Sequence, residues 1–531
     1  MRLFTSSAAI VFTAALLTGC GSTQMVSTPI ANIDKLPLKV SPIKEPDLKR
    51  WSHLDLVADT IPGMSVDKAY SQLVKNRKAT TVIVGVIDSG VDIDHPDLKP
   101  VVWTNTKEIA GNKVDDDKNG YIDDVHGWNF LGNALDENLE ITRLMKKGDD
   151  GSAAFQKMKA VFEEKRQEAL AAKPQVDFIF KANKAVQGHL KKDNYTIEEL
   201  NAITTTDPAV NQGKMVMTQV MAQTGPNFND ELNAFKKQVY DQIDYHYNLE
   251  HNGRKLVGDN PEDINDRNYG NNIVYGPDKE EALHGTHVAG IIAQIRGNNL
   301  GGDGVTNNVK IMTLRAVPNG DEYDKDIALA IRYAVDNGAK VINGSFGKSY
   351  SPHAQWVNDA IKYAESKDVL IVHAAGNDGK DIDAAGNNNY PNDSTNGKTE
   401  FANNLITIGA LNPKYGPGVV AEFSNYGSIN VDVFAPGVQI YATTPNNKYE
   451  YQQGTSMASP NAAGVAAMIR SYYPKLSAAQ VKKIMMDSGL PLTTEVTLGE
   501  AAEKRPFKNA SVSGKILNAY NALILADQMS R

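Results

Sequence analysis

Thr81-Val82-Ile83-Val84-Gly85-Val86-Ile87-Asp88-Ser89-Gly90 is the stretch that decides the fold of this 531-residue chain. The run is short, apolar and β-branched, which fits a strand buried on both faces, as in a parallel sheet. It ends in a carboxylate and then a Ser-Gly turn. An Asp at the carboxyl end of such a strand stands where open α/β sheets bind their ligands. The plainer alternative is an Asp that caps the next turn. Further along, strands and helices alternate. The pattern predicts strands at Val309–Arg315, Lys340–Ser345, Val369–His373, Leu405–Ala410 and Asn430–Phe434. It predicts helices at Asp324–Asn337, Pro352–Ser366, Ser477–Asp487 and Gly514–Gln528. Such alternation implies an α/β fold with a parallel β-sheet covered by helices on both faces.

Two other segments carry reactive side chains next to small residues. Gly454-Thr455-Ser456-Met457-Ala458-Ser459-Pro460 precedes an Ala-rich run, Asn461 to Tyr472, that reads as a buried helix. A hydroxyl at a helix N-terminus lies beside unsatisfied N–H groups and the positive end of the macrodipole. The bland alternative is an N-cap serine with a proline in the first turn. His284-Gly285-Thr286-His287-Val288-Ala289-Gly290 opens another Gly- and Ala-rich helix. A metal pair is disfavoured there, because no third ligand stands near His284 and His287 in sequence.

Taken together, Asp88, His284 and Ser456, in that order and with these flanks, resemble the subtilisin-like serine proteases, the subtilases. The matching motifs are Val-Ile-Asp-Ser-Gly, His-Gly-Thr-His-Val-Ala-Gly and Gly-Thr-Ser-Met-Ala-Ser-Pro. A fourth is Ala374-Ala375-Gly376-Asn377-Asp378-Gly379, after the apolar strand. The likeness covers roughly residues 80–130 and 270–490. It implies a three-layer fold and a serine endopeptidase. Ser456 would be the nucleophile, His284 the general base and acid, and Asp88 the group that orients the imidazole. Asn377 and the Ser456 N–H would hold the oxyanion. The strand ending in Ser345-Phe346-Gly347 would pair with a peptide substrate. Ala374, Ala375 and Gly376 would form the other wall of the primary pocket, open to medium or large apolar side chains. Asn461 departs from the family, which often carries His there. A catalytically silent lipoprotein that binds peptides or partners is the alternative. A serine esterase is disfavoured, since no Gly-x-Ser-x-Gly elbow surrounds Ser456.

Composition agrees with a large core: 41% of residues are hydrophobic and 22% charged. The net charge of −8 gives no reason to expect a nucleic-acid partner. The apolar stretch Ala8 to Leu17 predicts a signal peptide over residues 1–20. Leu17-Thr18-Gly19-Cys20 looks like a bacterial lipobox, with Cys20, the sole cysteine, lipidated and holding an exported protein on a membrane of the cell envelope. Plain secretion is the alternative. Residues 21–78 read as a tether and N-terminal extension, short for a prodomain, with Trp51 to Lys75 wrapping the catalytic domain and Val66 to Lys75 helical. The expected state is a monomer.

Asp115-Asp116-Asp117-Lys118-Asn119-Gly120-Tyr121-Ile122-Asp123-Asp124 has the oxygen spacing of a calcium loop. Asp115, Asp117, Asn119, Tyr121, Asp123 and Asp124 are the candidate ligands. His126 stands where the closing Glu of such a loop belongs. Between Asp88 and His284 lie far more residues than in simple subtilases. Residues 133–266 read as an inserted helical subdomain, with the catalytic domain in 79–132 and 267–531. Helical apolar spacing marks Ser152–Ala172 and Asn229–Asn252, and Ile197–Ile203 reads as a short helix. The insert is either a lid or exosite, or a surface unit packed on itself. Met215, Met217 and Met221 are expected to fill its core.

Overall fold

The computed structural model describes residues 27–30, 42–225, 228–395 and 399–531. The segment quoted first forms β1 (Val82–Asp88), buried along nearly its whole length. Around it stand β2 (Gly127–Asn129), β3 (Val309–Arg315), β4 (Val341–Gly344), β5 (Leu370–Ala374), β6 (Leu405–Leu411) and β7 (Val433–Pro436). Two short pieces, Leu490–Pro491 and Lys515–Ile516, complete a nine-stranded sheet on the β7 side. From that edge the order runs through β7, β6, β5, β4, β1 and β3 to β2. Every pairing is parallel except the edge pair Leu490–Pro491 with Lys515–Ile516. This is the α/β sheet that the alternation implied.

Two cores sandwich the sheet. On one face lie α6 (Leu283–Ala293) and α9 (Thr455–Tyr472), within a core that includes Val84, Val86, Val288, Ala462 and Val465. Their many Ala and Gly residues let backbone approach backbone. On the other face α7 (Asp324–Asp336) and α8 (Ala354–Ser366) cover Ile87, Leu314, Ile342 and Ile371. Alternate residues of β1 thus serve opposite cores, as the pleat requires.

Trp51 is fully buried, and its indole N–H donates to the carbonyls of Val438 and Gln439. Burying an indole of this size stabilises by about 2–3 kcal/mol. Farther on, Ala519 N–H donates to Met64 O, and Asn518 Nδ2 to Ser65 Oγ. The segment after Trp51 therefore lies against the body of the protein. Val66–Ala69 is helical and continues as a wider turn to Val74.

Between β2 and α6 the chain makes α1 (Glu140–Lys147), α2 (Ala153–Leu190), α3 (Ile197–Ala202), α4 (Pro208–Thr224) and α5 (Phe228–Asp241). The α2 helix runs 38 residues, past the expected end at Ala172 and through Pro174. Sequence reading missed α4, because Gly213 and scattered polar residues blur its period. Gly213 is needed there: a Cβ would stand 2.7 Å from the Ala182 carbonyl of α2. Val186, Leu200, Val210, Phe228 and Leu232 form a separate small core. Met217 and Met221 are buried, whereas Met215 is 69% exposed and fills nothing. Cys20 and its lipobox lie outside the described residues.

Candidate active site

Parallel pairing sets the site. β1, β4 and β5 are neighbours, with Ile87 opposite Gly344 and Gly344 opposite His373. Their carboxyl ends therefore share one rim, which presents Asp88, Ser345 and the Ala374–Asn377 loop together. Two helices start at the same rim. His284 is the second residue of α6 and Ser456 the second of α9.

The approach of α6 depends on Gly285. A Cβ there would lie 2.1 Å from Gly90 O and 3.1 Å from Asp88 Oδ1. Its absence lets His284 Nδ1 reach Asp88 Oδ1 at 2.6 Å. The same oxygen accepts Ser89 N–H at 2.8 Å, and Asp88 is 1% exposed. The imidazole is 35% exposed, so its other nitrogen faces the cleft. Burial disfavours its protonation, but the charge and hydrogen bond of Asp88 outweigh that, and its pKa stands above 6.5. His287 differs. Its Nε2 lies between the carbonyls of Ile440 and Glu450, and burial holds its pKa near about 4. It is a packing residue and no partner to His284 in a metal pair.

Ser456 is not an N-cap. That position belongs to Gly454, at φ 148°. Ser456 Oγ donates to Ser345 O at 3.3 Å, and Ser345 Oγ donates back to Ser456 O at 2.9 Å. Among the described residues the hydroxyl has no hydrogen bond to His284. Such bonds are often long before substrate binds. Asn343 Nδ2 supports Ser345 Oγ, and Asn343 Oδ1 accepts Ser459 Oγ, so strand β4 and helix α9 are locked in register. Asn461 is fully buried and its amide donates to Pro436 O and Met457 O. It ties α9 to β7.

Asn377 has a fixed amide. Its Oδ1 accepts both Thr455 N–H and Thr455 Oγ1, each at 2.9 Å. The Nδ2 group is left facing the cleft. A Cβ placed on Gly454 would stand 3.5 Å from Asn377 Nδ2 and 3.5 Å from Ser456 N. Two donors thus converge beside the hydroxyl, the arrangement an oxyanion needs.

A cleft of about 490 Å³ is lined by Phe346, Gly347, Ala374, Gly376, Asn377 and Ser456. Ser345 and Ala375 are buried behind it, and Ser345 instead borders a second cavity, of about 710 Å³, with Asp88 and His284. The open pocket expected between Gly347 and Gly376 is narrowed. Asn389 Oδ1 lies 2.4 Å from where a Gly347 Cβ would be, while Asn389 Nδ2 donates to Ala374 O. Sequence reading missed this residue, which sits in a loop without periodicity.

In the acidic loop, Glu108, Asp115 and Asp117 bring carboxylate oxygens within 4.8 Å of one another, a hard-oxygen set that fits a divalent cation. Burial and the charges of Asp124 and Asp117 raise the pKa of Glu108. Among the carboxylates expected there, Asp123 and Asp124 lie outside this cluster, each holding other partners. Asp123 accepts Gly111 and Lys113 N–H, and Asp124 takes Tyr333 OH and Asn119 Nδ2. Asn119 Oδ1 accepts Tyr121 N–H, and the Tyr121 ring packs on Trp128 and Tyr333. Glu108 lay outside the quoted run, so spacing within it gave no sign of it.

Comparison with known proteins adds the following. A model described as the Subtilase family matches residues 79–509. A thermophilic serine proteinase of Bacillus sp. (strain AK1) is 43% identical over 35% of this chain and 42% of its own length. Subtilisin-like protease 1 of Plasmodium vivax is 30% identical over 59% of this chain and 51% of its own. Subtilisin DY of Bacillus licheniformis is 38% identical over 38% of this chain and 67% of its own. The chain spans about half the length of the first two.

Proposed function

The chain belongs to the subtilase family, and from that premise we propose that it is a serine endopeptidase acting through Asp88, His284 and Ser456. The observation that carries the reading is the shared rim. A buried carboxylate grips His284 Nδ1 at 2.6 Å, while Asn377 Nδ2 and Ser456 N converge beside the serine hydroxyl. Ser456 Oγ attacks the substrate carbonyl as His284 Nε2 takes its proton. The negative oxygen is held by the two donors. The imidazolium, stabilised by Asp88, then protonates the leaving amine, and an acyl-enzyme remains. Water, deprotonated by the same imidazole, releases the acid and restores the hydroxyl. The peptide lies extended along Ser345, Phe346 and Gly347, with one side chain entering the pocket bounded by Ala374, Gly376 and Asn389.

A calcium ion held by Glu108, Asp115 and Asp117 would supply charge compensation and stiffen the loop, remote from the chemistry. The protein is exported and anchored to a bacterial membrane through lipidated Cys20, working as a monomer on protein or peptide substrates. Among the described residues no helix is long and apolar enough to cross a membrane. Fatty-acid labelling of the intact chain, lost in Cys20→Ser, tests the anchor; equal labelling of both would refute it. Peptide hydrolysis by the purified protein, abolished in Ser456→Ala, tests the reaction. Hydrolysis that persists in the folded variant contradicts it.

A further inference from the structure

Among the described residues four arginines are buried, and three of them pair with carboxylates. Arg470 meets Asp368. Two others fasten the ends of the helical insert. At its start Arg143 meets Glu140, which also pairs with Lys348 at 3.0 Å. At its end Arg254 meets Asp259 and Asp326, with Lys325 also on Asp259. Arg143 donates as well to the carbonyls of Asp321 and Glu322, so both anchors land on residues 321–326, at the start of α7.

The fourth arginine is different. Arg315, the last residue of β3, is 2% exposed and donates to uncharged oxygens. Its Nε gives to Ser89 O at 3.1 Å. Nη1 gives to Asn129 Oδ1 at 3.0 Å and Gly132 O at 3.3 Å, and Nη2 to Ala134 O at 2.7 Å. Burial pulls its pKa down to about 10, and the Glu281 carboxylate offsets part of that pull. A buried charge without a close counter-charge is unfavourable, and an apolar side chain of similar size is often the more stable choice. What the guanidinium joins gives a reason for its presence.

Arg315 stands opposite Asp88 in the β1–β3 register. Ser89, the residue after Asp88, links the Asp88 carboxylate to the helix of His284. Its N–H donates to Asp88 Oδ1 at 2.8 Å, and its Oγ accepts the N–H of Gly285, which follows His284, at 3.3 Å. The Ser89 carbonyl is the oxygen that Arg315 Nε holds. The remaining oxygens on the guanidinium belong to the end of β2 and to the residues where the insert leaves the sheet. Gly276 makes room for it, since a Cβ there would lie 2.6 Å from Arg315 Nε. One planar fork thus spans from the turn after Asp88 to the root of the insert.

We propose that Arg315 is a positioning residue for the hydrolysis: its guanidinium fixes Ser89 against the root of the insert, and through Ser89 it sets the contact between Asp88 and His284. Arg315 acts through Ser89 and needs no contact with substrate. The proposal rests on the endopeptidase reading and deepens it, naming a group outside Asp88, His284 and Ser456 on which their geometry depends.

The test compares the full-length wild type with Arg315→Met and Arg315→Lys on one fluorogenic peptide across pH. Arg315→Met frees Ser89, and kcat is expected to fall about ten- to a hundred-fold while KM stays within about twofold. A looser contact with Asp88 also removes part of what raises the His284 pKa, so the acid limb should move to lower pH by about half a unit. Lys237, Asp241 and His246 of the insert and Glu280 and Glu281 before α6 share the cavity with Asp88 and His284, and both variants leave them in place. Lysine keeps the charge without the fork, so Arg315→Lys should fall between the other two in kcat and in acid limb. Melting temperatures check the fold, and if Arg315→Met does not fold, Arg315→Lys decides alone. A lower melting temperature with wild-type kcat and acid limb, or failure of both variants to fold, shows a structural role only and overturns the proposal. Absence of hydrolysis by the wild-type protein overturns the endopeptidase reading itself.

Discussion

The sheet rim and the helical insert hold their shapes by different means. At the rim, small residues let backbone meet backbone, and Gly285 brings His284 onto Asp88 with almost no spare space. The insert is held at its ends by buried charges, and its longest helix buries only seven of its 38 residues. Close packing fixes the positions of reacting atoms to fractions of an ångström. Charged anchors fix a wall while leaving its face free to vary. The rim thus positions the groups of the proposed reaction, and the insert forms part of the walls around them.

The largest expected effect is at the rim. His284→Ala should lower kcat by about a million-fold, with the melting temperature near that of the wild type. Loss of turnover together with unfolding would blur the division drawn here. Next is the anchor of the insert. Arg254→Met leaves Asp326 without its cationic partner and Asp259 with Lys325 alone, and should cost about 3–5 kcal/mol, read from denaturant unfolding. An unchanged midpoint would show that the anchor holds nothing.

Asn377→Ala should reduce kcat about 100- to 1,000-fold with little change in KM, since only the charged intermediate loses a donor. An equal rise in KM would point to substrate binding instead.

The pH profile gives a smaller effect with a definite sign. Catalysis needs the neutral imidazole, and Asp88 raises the His284 pKa. Activity should fall as pH drops through that raised value, so the acid limb of kcat/KM lies at higher pH than an ordinary imidazole would give. In Asp88→Asn the residual activity should show an acid limb displaced to lower pH. Linkage runs the other way: the stability from the charged pair is complete below the unfolded pKa and is lost as pH rises through the folded one. The smallest effect is chelation, expected to lower the melting temperature by about 2–4 °C, with Glu108→Gln abolishing the difference.

How much of this was legible in the sequence follows the same division. β1, β3, β5 and β6 came from apolar runs, because strands buried on both faces leave continuous β-branched stretches. Asp88, His284, Asn377 and Ser456 came from motifs whose glycines and alanines exist to bring backbones together. Helix α4 was hidden by Gly213, which packs on α2, a partner that only tertiary structure reveals. Glu108 and Asn389 were missed because each acts at a distance along the chain from the motif it joins. Arg254 and Lys348 carry no local signal, since nothing near them in sequence says that a charge will be buried and paired.

The account rests on Ser456 being activated by His284, although the serine hydroxyl rests on the Ser345 carbonyl. Labelling with a fluorophosphonate, followed by peptide mapping, tests this directly. The expected result is a single adduct on Ser456 in the wild-type protein and none in folded His284→Ala. Equal labelling of both proteins, or no adduct on wild-type Ser456, would contradict it.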